Sequence, residues 1–150
     1  MGHIFDEEIF PDAWRINSTD CRIPENEKKG LIFLTASQSL DLWKRKISEE
    51  FFHLMKIPIE EKNILKKLTL NFSRNGEGSA FFQQELRRYD LIVFFWGAQS
   101  ACIVQKNTFV ENWTDFFYAS DETSIIYIPN SRKKLFSYED DFFVARFSCL

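Results

Sequence analysis

The sequence predicts an α+β domain in which an antiparallel sheet carries helices packed on one side. Three observations predict it. The run Asp90-Leu91-Ile92-Val93-Phe94-Phe95-Trp96 is rich in β-branched and aromatic residues, the composition of a strand. Leu40, Trp43, Ile47, Phe51 and Leu54 recur at steps of three and four, the spacing of one apolar helix stripe. Strand and helix signals do not alternate in the regular way that a parallel sheet with crossover helices requires. At 150 residues the chain has the size of one domain, 1–150, long enough to bury a single core.

Along the chain, Ala13-Trp14-Arg15-Ile16 reads as a short strand, Cys21 to Gly30 as a polar loop, and Leu31 to Thr35 as a buried strand. Ser37 is a suitable N-cap for a helix over 38–56 that stops before Pro58. Residues 58–67 suggest a short second helix with Ile57, Ile64, Leu65 and Leu68 on its apolar side. Asn75-Gly76-Glu77-Gly78 reads as a turn, after which Ser79 can cap a helix whose Phe82, Leu86 and Tyr89 share a face. Residues 91–96 and 101–105 form a hairpin about Gly97-Ala98-Gln99-Ser100. Thr108 with Glu111 is a capping box for a helix over 108–118, with Phe109, Trp113, Phe116 and Phe117 as its stripe. Ser124 to Ile128, closed by Pro129-Asn130, and Phe142 to Phe147 complete the strands.

Composition favours packing and binding over chemistry. The chain has 17 Phe, 4 Trp and 4 Tyr but only 2 His, 3 Cys and 5 Gly. Aromatics dominate cores and interfaces, whereas catalytic and metal sites lean on His, Cys and convergent carboxylates. His3, His53, Cys21, Cys102 and Cys149 show none of the spacings that preorganise zinc, so no metal and no cofactor are expected. His53 follows Glu49 and Glu50 on the expected helix and reads as a solvated histidine. Glu49-Glu50 and Glu60-Glu61 are adjacent pairs that point about 100° apart on a helix and cannot converge on one bond. Gly76-x-Gly78 lacks the remainder of a phosphate loop. An enzyme is therefore not expected.

The odd, widely spaced cysteines fit a reducing compartment, and the first residues lack the basic and apolar regions of a signal peptide, so a cytoplasmic location is expected. No apolar run approaches the ~20 residues of a membrane helix. The 22 acidic and 19 basic residues give a net charge of −3. The basic clusters Lys44-Arg45-Lys46, Lys62 with Lys66-Lys67, and Arg132-Lys133-Lys134 read mostly as solvated faces, and no RNA-recognition signature accompanies the strand 90–96. Asp6, Glu7, Glu8 and Asp12, and then Glu139, Asp140 and Asp141, are clusters of one sign.

Ala13-Trp14, then Leu42-Trp43-Lys44-Arg45-Lys46-Ile47-Ser48, the hairpin from Leu91, and Phe109-x-x-Asn112-Trp113-x-x-Phe116 resemble landmarks of a small bacterial family of soluble proteins. That family looks like the immunity proteins encoded beside polymorphic toxins, such as those of contact-dependent growth inhibition. The resemblance spans Ala13 to Phe147; the stretch Asn71 to Gly78 and the acidic ends depart from it. Trp14, Trp43 and Trp113 read as packing anchors. The resemblance implies a partner, the cognate toxin C-terminal domain, with no direct nucleic-acid or membrane contact. A nuclease toxin presents a basic cleft, so the acidic residues Asp6, Glu7, Glu8, Asp12, Glu139, Asp140 and Asp141 are the expected toxin-binding set. A nucleic-acid-binding protein or an enzyme of another kind is the alternative.

Overall fold

The computed structural model describes residues 4–118 and 123–148. Among these, seven strands form one sheet in which every neighbouring pair is antiparallel. In chain order they are β1 (Ile32–Phe33), β2 (Lys62–Thr69), β3 (Leu91–Gly97), β4 (Ser100–Gln105), β5 (Thr123–Tyr127), β6 (Lys133–Tyr138) and β7 (Asp141–Phe147), and across the sheet they lie β1-β4-β3-β5-β6-β7-β2. The helices are α1 (Ala13–Asn17), α2 (Glu25–Lys28), α3 (Ala36–Lys46), α4 (Asn75–Leu86), α5 (Lys106–Glu111) and α6 (Trp113–Phe116). The α+β class, the antiparallel sheet and the 91–105 hairpin are those expected.

Both faces of the sheet are covered. Ile92, Phe94, Val104, Ile126 and Phe142 join a core with α1, α4, α5 and α6, while Val93, Phe95, Ile125, Phe136 and Phe147 join a second core with Trp43 of α3, with Ile47 just after it, and with Leu54 and Ile57. Most helices collect on one face, and α3 departs from them to cover the other. Two-sided burial explains why β3 is an unbroken apolar run instead of an alternating one.

Several elements differ from their sequence reading, each for a local reason. Residues 13–17 are helical: Ala13 and Ile16, three apart, face inward while Trp14 points out. The stretch expected as a polar loop contains the turn α2. The N-cap of α3 is Thr35, one half of a capping box with Gln38, so Ser37 lies inside the helix. That helix stops at Lys46, ten residues short, because the chain folds back over Trp43, whose indole N–H donates to the Phe51 carbonyl at 2.7 Å. Thr108 does not cap: the segment 106–116 is two short helices broken at Asn112, and the Thr108 hydroxyl donates to Glu27 instead.

Residues 62–69 form an edge strand, not a helix. A bulge between Ile64 and Lys66 moves one residue across the pleat, so that Ile64 faces the α3 side and Leu68 the other. This break in alternation makes the strand resemble helical spacing. Strand β6 takes up two of the triplet expected as a solvated face, Lys133 and Lys134: Lys134 is fully buried, its ammonium 4.9 Å from the Phe147 ring centre and 5.7 Å from that of Tyr127.

The Asn75–Gly78 segment is the first turn of α4, with Ser79 inside the helix donating to the Val110 carbonyl. Trp113 of α6 imposes this. Its indole N–H donates to the Asn75 carbonyl at 2.8 Å, and its ring lies directly on Gly78, where a Cβ would overlap the indole. Phe72, Phe82 and Phe142 surround the same ring at centroid distances of 5.1, 5.6 and 5.9 Å. Around Gly76 there is open space. Gly76→Ala should therefore stabilise by about 0.5 kcal/mol through helix propensity, whereas Gly78→Ala should destabilise by about 2 kcal/mol or more through overpacking. Urea unfolding of the two variants decides this, and equal effects would contradict the role given to Trp113.

Glu85, near the end of α4, ties the helix to the sheet. Lys66 of β2 lies 2.7 Å from one carboxylate oxygen and Lys133 of β6 2.8 Å from the other. Burial alone would raise the Glu85 pKa, but the hydrogen bonds and charges of Lys133 and Lys66 outweigh it and hold the carboxyl below its ordinary value. A depressed carboxylate pKa gives stability that is present above the ordinary value of 4.5 and is lost as pH falls through the lower folded-state value. Glu85→Gln should cost about 1–2 kcal/mol at neutral pH, with the gap to the parent protein closing in acid. A gap that stays constant in urea titrations down to about pH 3 would show that ionisation of Glu85 contributes nothing.

Candidate protein-binding face

The strand registers bring the two acidic segments to the same end of the sheet. Gly97 pairs with Ser100, Phe95 with Ile125, Thr123 with Tyr138, Tyr138 with Asp141, and Asp141 with Thr69. The β3–β4 turn, the start of β5, the β6–β7 turn and the end of β2 therefore share one end. Asp12 meets that end at Ser100, whose hydroxyl donates to its carboxylate at 2.6 Å. From β4 to β7 is four strand spacings, about 19 Å, within a standard protein interface on the order of 30 Å across.

The N-terminal acidic segment is held in a fixed shape. The Asn17 side chain accepts from the Phe5 N–H at 3.2 Å and donates to the Phe5 carbonyl at 2.8 Å and to Glu7 at 3.0 Å. Asp6 accepts from the Glu8 N–H, and its carbonyl receives the N–H groups of Ile9 and Phe10. Phe5 anchors the turn on Phe33, with ring centroids 4.7 Å apart. Asp6, Glu7 and Glu8 remain exposed on this scaffold.

At the other acidic segment, Glu139 and Asp140 are the exposed turn between β6 and β7. Glu139 sits at φ 55°, in the left-handed region that favours glycine. A charged side chain is thus displayed at a strained hairpin tip.

Besides Asp6 and Glu7, held within the N-terminal segment, two more of the seven expected contact residues are engaged in the fold. Asp12, at φ 64°, accepts from Arg15 Nε at 3.0 Å as well as from Ser100. Asp141 accepts from the Thr69 hydroxyl at 2.8 Å and lies 3.5 Å from Lys67 Nζ. Of the seven, Glu8, Glu139 and Asp140 carry exposed carboxylates with no such bond, while Asp6 accepts only from the Glu8 N–H and Glu7 is held by Asn17.

Sequence reasoning placed Trp14 in the core, but it is 49% exposed beside the acidic segment. Its ring meets Tyr118 edge-on at 6.3 Å, and the Arg15 guanidinium lies 4.9 Å from Trp14, 4.4 Å from Tyr118 and 5.9 Å from Trp96. Trp43 and Trp113 are buried, as packing anchors should be. A cavity of about 290 Å³ opens at the same end on the α3 side, lined by Trp43, Phe52, His53, Phe95, Trp96 and Thr123 among others.

His53 is not on a helix with Glu49 and Glu50; it caps a single turn at 54–56, its Nδ1 accepting from the Met55 N–H. Burial pushes the Cys21 and Cys102 thiols up, which makes them poor nucleophiles. Among the described residues no three His, Cys, Asp or Glu side chains are placed to hold a metal ion, and no helix is long and apolar enough to cross a membrane. His3 and Cys149 lie outside the described residues. No protein family, no curated protein and no solved structure matches this chain.

Because Arg15 is buried and Asp12 is its carboxylate partner, Asp12→Ala should destabilise by about 2 kcal/mol, while Asp6→Ala and Glu8→Ala change stability by less than ~0.5 kcal/mol. Thermal or urea unfolding checks the contrast. Equal, small effects at all three would return Asp12 to the set of purely surface charges.

Proposed function

We propose that this protein is an immunity protein, a cytoplasmic binder that neutralises a cognate toxin domain, a nuclease of a contact-dependent growth inhibition system. The observation that carries the reading is the display of two acidic segments at one end of the sheet, one clamped by Asn17 and the other at a strained hairpin tip, beside a half-exposed tryptophan. A nuclease active site is a basic cleft shaped for phosphates. Carboxylates fixed in position meet such a cleft with little ordering cost, and their field accelerates encounter. Trp14, backed by Tyr118 and Arg15, has the residue type and setting of an interface anchor, which acts on dissociation more than on encounter. The scarcity of His and the buried thiols favour binding over catalysis.

Binding to the toxin domain encoded beside this protein, measured across salt concentrations, tests the proposal. Reversal of Asp6, Glu7 and Glu8 together with Glu139 and Asp140 should slow association about tenfold or more and flatten its salt dependence. Trp14→Ala should raise the dissociation rate instead. Unchanged association after both reversals removes the acidic face from the mechanism, and failure to bind or to protect cells from the toxin removes the immunity assignment.

A further inference from the structure

The opposite end of the sheet has the opposite charge. There the C-terminal end of α4 meets β2 and β6 around a cleft of about 230 Å³ lined by Lys66, Glu85, Arg87, Arg88 and Lys133 among others. We infer that this cleft binds a small phosphate-bearing anion of diphosphate size.

Charge counting supports the sign. Four cations face one carboxylate and the carbonyl end of a helix, which carries roughly half a unit of negative charge. The positive excess is therefore between two and three units, comparable with the charge of a diphosphate. Each Glu85 oxygen is paired with one lysine, so the carboxylate orients the two ammonium groups and its charge is offset by them.

Donor counting supports the ligand class. An ammonium has three N–H donors and a guanidinium five. Lys133 uses two, on the Glu85 carboxylate and the Glu85 carbonyl, and Lys66 uses one. Three ammonium donors and both guanidinium groups remain, since neither Arg87 nor Arg88 makes an ion pair or hydrogen bond among the described residues. Guanidinium forks match the paired oxygens of phosphate, and several of them together suit an anion with more oxygens than a single carboxylate offers. The lysine pair is held in place by Glu85, and the exposed Arg87 and Arg88 supply the donors not used within the fold. Arginines at a helix C-terminus also complement the helix dipole, but that role needs no cleft and no convergence with two lysines from separate strands.

Titration calorimetry of the full chain with inorganic phosphate, pyrophosphate and ADP tests this. Pyrophosphate should bind at one equivalent, more tightly than phosphate, and Arg87→Gln with Arg88→Gln should weaken it about tenfold or more without shifting the unfolding midpoint. Lys66→Gln should weaken it less, and Lys44→Gln with Arg45→Gln, on the exposed end of α3, should leave it unchanged. ADP binding through the same arginines would assign the site to nucleotide diphosphates, and pyrophosphate binding without ADP binding to the free anion; both support the cleft. Absence of binding to all three, equal loss in the α3 variant, or preference for a single-stranded oligonucleotide or an acidic peptide over pyrophosphate would overturn it.

Discussion

The contact of the Trp113 indole with Gly78 is the constraint on which the larger core depends. A tryptophan ring fills the junction of α4, α6 and β7 only if the helix surface beneath it has no side chain at all. With the ring in place, Phe82 of α4 reaches Phe109, Phe117 and Phe142 at centroid distances of 5.0 to 6.0 Å, and Phe117 in turn meets Phe94 of β3 at 4.7 Å. Each such pair adds on the order of 1 kcal/mol beyond area burial, so the helical layer is locked to the sheet through one connected aromatic group. A glycine in a helix costs about 1 kcal/mol of propensity, and here the packing it permits offsets that cost.

The same contact explains which parts of the fold were legible in the sequence. The 91–105 hairpin was readable because its signals are local: a β-branched and aromatic run, then a glycine turn. The start of α4 was not, because Gly76 and Gly78 signal a turn to any local rule, and the reason for Gly78 lies 35 residues away in Trp113. Strand β6 escaped for a related cause. Lys133 and Lys134 look like surface until Glu85 on one face of the sheet and the Tyr127 and Phe147 rings on the other supply their partners. Strand β2 escaped because its bulge replaces alternation by a helix-like spacing.

The proposed binding face was legible in part. One-signed charge at Asp6–Glu8 and Glu139–Asp140 is a sequence property, but nothing in the sequence says that four antiparallel steps put both at one end of a sheet. Nor does it say that Asp12 and Asp141 have internal partners, or that Trp14 faces solvent. Those facts depend on tertiary contacts: Ser100 with Asp12, Thr69 with Asp141, Asn17 with the Phe5 backbone. Charge type was visible and charge availability was not.

Where recognition can occur on this architecture follows from what is already covered. Both faces of the sheet are packed under helices or the segment 51–57. One edge strand, β1, pairs over only two residues, and the other, β2, carries Lys62, Lys66 and Lys67 and a bulge, features that discourage strand addition. Among the described residues, the two ends of the sheet, with their turns and helix termini, expose the charged groups discussed above, as in many folds where a rigid scaffold positions functional loops. The strand order then separates the charges, carboxylates at the end holding the β3–β4 and β6–β7 turns, and Lys66, Arg87, Arg88 and Lys133 around the cleft toward the other. Over that span, about 20 Å for a six-residue strand, screening at physiological salt with a Debye length of ~8 Å largely uncouples the two ends, so the charges at one end have little influence on the electrostatics of the other.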